Sequence, residues 1–154
     1  MNIVYAELTD FDAWIALARE VEHLFGPMAD EVSFQDALRQ AILQKTAFCI
    51  RADLDGNDRA LKGGIVVSKE SNEIAWFAVS ARYRRKGYGR ELLKFAISRL
   101  NHHESIFVQT FDESSFEGKA ARTLYLDFGF IDNKDGGSNP AGITTVIMQL
   151  AKSS

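Results

Sequence analysis

Apolar positions along the chain recur with two periods. A short run, "IVYAEL" (Ile3 to Leu8), has a strand pattern. Phe11, Trp14, Ala18, Val21 and Phe25 then recur at three- and four-residue intervals and mark one buried helical face, which Gly26-Pro27 ends. Thr9 with Asp12 has the spacing of a capping box for that helix. Ser33 with Asp36 repeats it ahead of a second helix lined by Phe34, Ala37, Leu38, Ala41 and Ile42.

The period then shortens. "TAFCIRA" and "LKGGIVVS" flank the turn composition "DLDGNDR" and predict an antiparallel pair. "EIAWFAVS" (Glu73 to Ser80) is a continuous apolar run of strand length, expected at the centre of a sheet and buried on both faces. Leu92, Leu93, Ala96, Ile97 and Leu100 return to helical spacing, "SIFVQTF" is another strand, and Ala120, Ala121, Leu124, Tyr125 and Phe128 form a further helical face that Gly129 ends. "FIDNK" and "TTVIMQL" close the chain as strands around the loop "DGGSNPAG". With no repeat and no linker, the order predicts one α/β domain over residues 1–154: a mixed sheet flanked by helices, with antiparallel strands early and a strand–helix–strand crossover in the middle.

Charge changes the picture at one place. The net charge of −3 argues against a nucleic-acid partner, which a basic surplus would accompany. Yet Arg82, Arg84, Arg85, Lys86 and Arg90 fall within nine residues that contain no acid. Outside them 13 basic residues face 21 acidic ones, a balance of −8. A local positive site on an acidic body suits a small anionic ligand. The sole cysteine, Cys49, sits in an apolar strand pattern and reads as a core thiol. The first residues lack the basic and apolar blocks of a signal peptide, and no apolar run approaches the ~20 residues of a membrane span. A cytoplasmic location with no membrane partner is therefore expected.

The basic cluster surrounds "RRKGYGRELL", between the central strand and a helix. The first N–H groups of a helix have no internal partner and lie at the positive end of its dipole. Gly87 and Gly89 would let a bulky anion approach several of them, and neighbouring guanidinium groups would add charge-assisted contacts. A P-loop is excluded, because Arg90-Glu91 follows Gly89 where Lys-Ser/Thr is required. A dinucleotide turn lacks its third glycine, since Leu92 stands there. What remains is Arg-x-x-Gly-x-Gly, or a plain turn with a solvated basic rim.

"AVSARYRRKGYGRELLKFAI" resembles the acyl-CoA-binding motif of the GNAT superfamily of N-acyltransferases, and "AARTLYLDFGF" (Ala120 to Phe130) is similar to that superfamily's later helix, with its tyrosine four residues before Gly-Phe. The element order agrees over almost the whole chain. Gly118 stands where many relatives have asparagine, so one cofactor contact is expected to be absent or replaced.

The resemblance implies a GNAT-like fold and an acetyl-CoA cosubstrate, without a metal. The coenzyme diphosphate would lie on the N–H groups of Arg85, Lys86, Gly87, Tyr88, Gly89 and Arg90, with Arg84 also at the cofactor. The pantetheine arm would run beside Phe77 and Val79, with the thioester carbonyl near the backbone of Val79, in an oxyanion-type contact. The acceptor is then an amine, on a small molecule or a peptide. An ammonium of pKa ~10.4 is free base in only about one molecule in 10³ at pH 7, a deficit of roughly 4–5 kcal/mol, so a base must take its proton. Glu73, at the head of the strand leading to the cofactor and in an "EI-x-x-x-A" context, is the candidate, with solvent relay or a plain edge glutamate as alternatives. Tyr125 occupies the superfamily's general-acid position, or else is one more aromatic of its helix face.

Other residues suggest less. His102-His103 reads as a solvated helix end, His23 as the polar side of the first helix, and one of Trp76 and Phe77 must face the cleft. "LFGPMADE" and "DGGSNPAG", with Asp30, Glu31 and Asp135, are the loops that border the acceptor in this fold. A buried Cys49 argues for direct transfer rather than a covalent acyl-enzyme. The alternative function is an acyl-CoA-binding regulatory module without catalysis. The C-terminal strand, if exposed, offers an edge for a homodimer.

Overall fold

The computed structural model describes residues 2–52, 60–116 and 118–153. The chain runs β1 (Ile3–Tyr5), α1 (Phe11–Glu20), α2 (Glu22–Phe25), α3 (Val32–Leu43), β2 (Ala47–Arg51), β3 (Leu61–Ser68), β4 (Glu73–Val79), α4 (Tyr88–Ser98), β5 (Ile106–Phe111), α5 (Lys119–Asp127), β6 (Ile131–Ser138) and β7 (Thr144–Leu150). The strands form one seven-stranded sheet in the order β1-β2-β3-β4-β5-β7-β6. Only β4 and β5 pair in parallel; α4 is the crossover between them. The expected turn "DLDGNDR" lies outside the described residues.

Each face of the sheet carries a core. On one side Trp14, Leu17, Ala18, Leu38 and Ala41 of α1 and α3 pack with Ala47, Cys49 and Ala78. On the other, Leu92, Leu93 and Ala96 of α4 and Tyr125 of α5 pack with Ile65, Ile74, Val108 and Met148. Two adjacent glycines let both layers close on β3. A Cβ at Gly64 would lie 2.7 Å from Trp14 Cη2, and one at Gly63 would lie 2.9 Å from Leu92 Cδ1. Burying such side chains contributes about 1.5–3 kcal/mol each, so the Gly-Gly pair is a packing requirement.

Local details depart from the sequence reading. Thr9 falls inside a 3₁₀ turn (Leu8–Asp10), and the cap is made by Asp10, whose carboxylate accepts the Glu7 N–H at 2.8 Å. Arg51 of β2 holds that carboxylate with two bonds of 2.9 and 2.7 Å, so Asp10 is committed to joining the first turn to the sheet. Ser33 is inside α3, whose N-cap is Glu31 with no side-chain bond. The first helix breaks at Val21 (φ −109°, ψ 7°), which puts Phe25 on the separate α2. The "DGGS" stretch extends β6 with two register shifts rather than forming loop. The C-terminal strand β7 lies between β5 and β6, so its edges are already paired. β1 and β6 are the edge strands, which removes β7 as a surface for joining subunits.

One break in the sheet positions the site. β4 and β5 are paired only at Glu73–Phe107 and Ile74–Val108 and then diverge. Asn72, buried and left-handed (φ 54°), ties the closed end together. Its Nδ2 donates to Asn101 O and Ser105 O, both at 2.9 Å, and its Oδ1 accepts the Asn101 N–H at 2.8 Å. Past this apex β4 has a free edge, which is why Phe77 and Val79 are half-buried rather than enclosed on both faces.

Candidate active site

The gap between β4 and β5 opens into a cavity of about 500 Å³. Its floor is Phe77, Ala78 and Val79, and Phe111 at the end of β5 faces them. Because Ser80 N–H bonds to Lys62 O of β3 at 2.8 Å, strand alternation turns the N–H groups of Phe77 and Val79 toward the gap. Arg84 Nε donates to Val79 O at 3.3 Å, so the carbonyl on that side is engaged.

Beyond Val79 the turn is built to expose main chain. Arg85 (φ 64°) and Gly87 (φ 87°) are both left-handed, and Gly87 is the N-cap of α4 with no side-chain bond to the helix. The first backbone N–H to find a carbonyl is that of Glu91, which bonds to Gly87 O at 3.1 Å; those of Tyr88, Gly89 and Arg90 have no helical partner. They sit at the positive end of an eleven-residue helix. A Cβ at Gly89 would meet Val79 Cγ2, Phe77 Cζ and Leu124 Cδ2 at ordinary distances of 3.4, 3.5 and 3.6 Å. Packing therefore does not demand a glycine here, and its bareness leaves room on the cavity side.

Side chains hold the turn from several directions. Glu20, at the end of α1, accepts from Ser80 Oγ at 3.0 Å and from Ala81 N–H at 3.2 Å. Lys62 donates to Tyr88 Oη at 3.0 Å, with its ammonium 4.7 Å from that ring's centroid. Arg90 pairs with Asp127 of α5 at 3.0 Å.

Of the residues expected at a cofactor site, Phe77, Val79, Arg84, Arg85, Gly87, Tyr88, Gly89 and Arg90 all line the cavity, and Lys86 does not. Tyr125 is 3% exposed and belongs to the core. Its ring meets Phe77 (centroids 6.3 Å apart) and Phe130 (5.5 Å), while its neighbours Thr123, Leu124 and Asp127 face the cavity. Its hydroxyl has no hydrogen-bond partner among the described residues, and burial holds the phenol well above its usual pKa, so it keeps its proton. Glu73 stands at the apex, roughly 13 Å along the strand from Phe77, outside the cavity lining.

Gly118 leaves no space for a side chain. A Cβ there would lie 2.2 Å from Phe111 Cβ, so Phe111 fills the position an asparagine would need. Phe111 in turn stacks on Phe25 of α2, with centroids 5.6 Å apart and planes 4° from parallel. Trp76 faces the opposite core among Trp14, Phe25 and Phe34, so Phe77 is the cleft residue of the pair. The two loops expected to border an acceptor do meet. Asn139 Nδ2 donates to Leu24 O at 2.7 Å, and Pro140 packs against Gly26 (φ 97°). Glu22 accepts the N–H groups of Met28 (2.7 Å) and Ala29 (3.1 Å), which lowers its pKa and fixes the "GPMA" turn.

Cys49 is fully enclosed, and burial, with Asp10 nearby, pushes its thiol up to about 12, so it is no nucleophile. His102 lies against Ile97 O at 2.8 Å at the end of α4. His23 is exposed, as a polar-side position implies, and borders a second cavity beside the first. Among the described residues no group of three or more His, Cys, Asp or Glu could hold a metal ion, and no helix is long and apolar enough to cross a membrane.

Sequence reading did not find Glu20, Asn72, Phe111 or Asp127. The bonds of Glu20, Asn72 and Asp127 span 29 or more residues of chain, as the 61 between Glu20 and Ala81 or the 37 between Arg90 and Asp127 illustrate, and no local pattern encodes such pairs. Phe25 was placed on a helix face, but its stack on Phe111 is likewise a tertiary fact.

No curated protein matches the chain by sequence. The same fold recurs in solved structures. A GNAT-family acetyltransferase from Bacillus cereus ATCC 10987 is 17% identical, with 99% of this chain and 98% of that one covered and a TM-score of 0.73. The ribosomal-protein-S18-alanine N-acetyltransferase from Escherichia coli is 20% identical over 99% and 94%, with a TM-score of 0.70. A chain of the NatC complex bound to Gag peptide and CoA is 22% identical over 99% and 100%, with a TM-score of 0.72. The family model for the acetyltransferase (GNAT) domain matches residues 20–152, from the glutamate that clamps the turn to just past β7, and the chain belongs to the GNAT acetyltransferase family.

Proposed function

We propose that the chain is an acetyl-CoA-dependent N-acetyltransferase that moves the acetyl group directly to a primary amine, with both substrates bound together. One observation carries the reading: a free strand edge and a cradle of unpaired N–H groups lie in the same cavity. The residues fit the coenzyme. The N–H groups of Tyr88, Gly89 and Arg90, with Arg84 and Arg85, suit a diphosphate, and the N–H groups of Phe77 and Val79 suit the amides of a pantetheine arm. The related structure with Gag peptide and CoA and the alanine N-acetyltransferase support an amine acceptor.

The coenzyme supplies an acyl thioester, a carbonyl already activated toward attack. The chain's part is positioning and proton traffic. Of the two free N–H groups on β4, one would donate to the thioester oxygen, where negative charge develops, leaving the other for a pantetheine amide. Tyr125 keeps its phenolic proton at neutral pH and touches Phe77 on the cavity floor, so it would give that proton to the departing sulfur once its hydroxyl is turned from the core into the cleft. Glu73 is beyond direct reach of Phe77, so it takes the amine's proton through water. Glu73→Gln therefore depresses turnover mainly at low pH, and an unchanged pH profile removes it from the mechanism. The enclosed, protonated Cys49 supports direct transfer over an acyl-enzyme.

The test combines calorimetric titration with coenzyme A and thiol release from acetyl-CoA across a panel of amines and peptides. Saturable binding with turnover of at least one amine is expected. Binding without turnover would make the chain a regulatory acyl-CoA module, and no binding would overturn the reading entirely.

A further inference from the structure

The cavity between β4 and β5 is bordered by elements from both faces of the sheet. The glycine turn opens α4, which packs on one face with α5, whereas Val21 and Phe25 pack with the opposite layer. With a coenzyme held by the turn, direct transfer leaves the amine the α2 side. That side is apolar. Val21 and Leu24 are buried, and Phe25 stacks on Phe111 with planes 4° from parallel. Phe25 also meets Trp76 edge-on at 6.3 Å, so the aromatic wall is fixed before anything binds. Among the described residues Asp127 is the one acid that lines the cavity, and it pairs with Arg90 at 3.0 Å. The acids of the neighbouring segments are engaged elsewhere. Glu20 accepts from Ser80 and Ala81, and Glu22 from Met28 and Ala29. Asp30 pairs with Arg19 at 2.7 Å, Asp135 accepts the Gly137 N–H at 2.9 Å, and Glu31 does not line the cavity.

We propose that the acceptor is a monoamine carried on an apolar or aromatic group, which packs against Leu24, Phe25 and Phe111, and that an acceptor with a second cation close to the amine is rejected. The inference rests on the N-acetyltransferase reading above and deepens it by naming the acceptor's class. Two effects act in the same direction. Apolar surface of the acceptor leaves water against this wall, and a single methylene in such a pocket changes kcat/KM by about 10–200-fold. The same surroundings disfavour charge, so a lone ammonium loses its proton more readily there than in water, as attack on the carbonyl requires. A second ammonium a few carbons away gains nothing from this. It would be stripped of water with no carboxylate to receive it. A free alkyl- or arylalkylamine and a chain terminus with an apolar first side chain share this chemistry.

The test compares kcat/KM for thiol release from acetyl-CoA with n-butylamine, 2-phenylethylamine and 1,3-diaminopropane. The diamine matches butylamine in length and puts an ammonium where its methyl group stands. Peptides that differ only in an N-terminal leucine or lysine repeat the contrast on a chain terminus, and the faster series identifies the source. Butylamine is expected to exceed the diamine, or the leucine peptide the lysine peptide, by at least about tenfold, with phenylethylamine ahead of butylamine. Phe25→Ala, checked for a native melting curve and for coenzyme A binding, should shrink the phenylethylamine advantage; Phe25→Leu should keep part of it, and Phe25→Glu should favour the diamine. Turnover of the dicationic acceptors equal to that of their apolar counterparts overturns the inference on the parent chain alone and leaves the N-acetyltransferase reading intact. So does an aromatic advantage that survives undiminished in Phe25→Ala. Turnover of no amine by a chain that binds coenzyme A removes the N-acetyltransferase reading, and this inference with it.

Discussion

Tyr125→Phe separates two roles that one ring could play. The ring's contacts with Phe77 and Phe130 are edge-on and use carbon atoms, so phenylalanine retains them. No hydrogen bond among the described residues is lost with the hydroxyl. The stability change is therefore expected within about 0.5 kcal/mol, or no more than about 2 °C in Tm for a chain of this size. The chemistry should respond far more. Acid–base groups contribute typically 10²–10⁴-fold, so turnover should fall by at least about tenfold, and a loss of about a hundredfold corresponds to roughly 2.7 kcal/mol. Burial keeps the phenol protonated throughout the neutral range, so the parent enzyme should show no loss of this acid on moving from pH 6 to pH 9. Thiol release from acetyl-CoA with a saturating amine measures kcat, and calorimetry with coenzyme A measures the binding that should stay constant. Equal turnover in the variant refutes the role and returns Tyr125 to the core.

Gly118→Asn restores the side chain many relatives carry, but it drives a Cβ to 2.2 Å from Phe111. With φ −90° there is no backbone strain to blame, so the overpacking alone should cost about 1–3 kcal/mol and lower Tm by several degrees; an unchanged melting curve would refute it. Cys49 is held as a thiol in the folded chain and ionises freely in the unfolded one. Its contribution is complete below the unfolded pKa of ~8.5 and falls by up to about 1.4 kcal/mol per pH unit between there and about 12. Cys49→Ser should flatten the alkaline limb of a Tm-against-pH plot, and an identical limb counts against the assignment. Glu22→Gln removes the charge that two N–H groups hold in the "GPMA" turn, so KM for the amine should rise severalfold while KM for acetyl-CoA stays put. The parent should show the same effect as pH falls through the lowered pKa of Glu22, since its carboxylate is needed above that point. Equal changes in both KM values would mean the turn does not serve the acceptor.

The periodic elements were legible because their signals are local. Leu92, Leu93 and Ala96 are one stripe of a helix whatever surrounds it, and all three are fully enclosed. The glycine turn was legible for the same reason, since its geometry is a property of six consecutive residues. The caps were misjudged at Thr9 and Ser33 because the competing partners, Arg51 for Asp10 above all, come from another part of the chain. β6 was read as ending early because glycines usually break strands, whereas here they sit at the register shift between Asp135 and Gly137 and let the strand bend and continue. The side chains that shape the cavity depend on long-range pairing, so the stack of Phe111 on Phe25 could emerge only from the folded chain.

A sheet joined across its middle by two residue pairs behaves like a book with a short spine. Past Ile74 and Val108 the leaves β1–β4 and β5–β7–β6 are kept together by lesser clasps: the Phe25–Phe111 stack, the Asn139–Leu24 bond and the Arg90–Asp127 pair. A donor whose own amides span the gap would act as a borrowed rung as well as a reactant. Its arrival should slow amide hydrogen exchange at Phe77 and Val79, and its departure after each turnover should loosen the two leaves again.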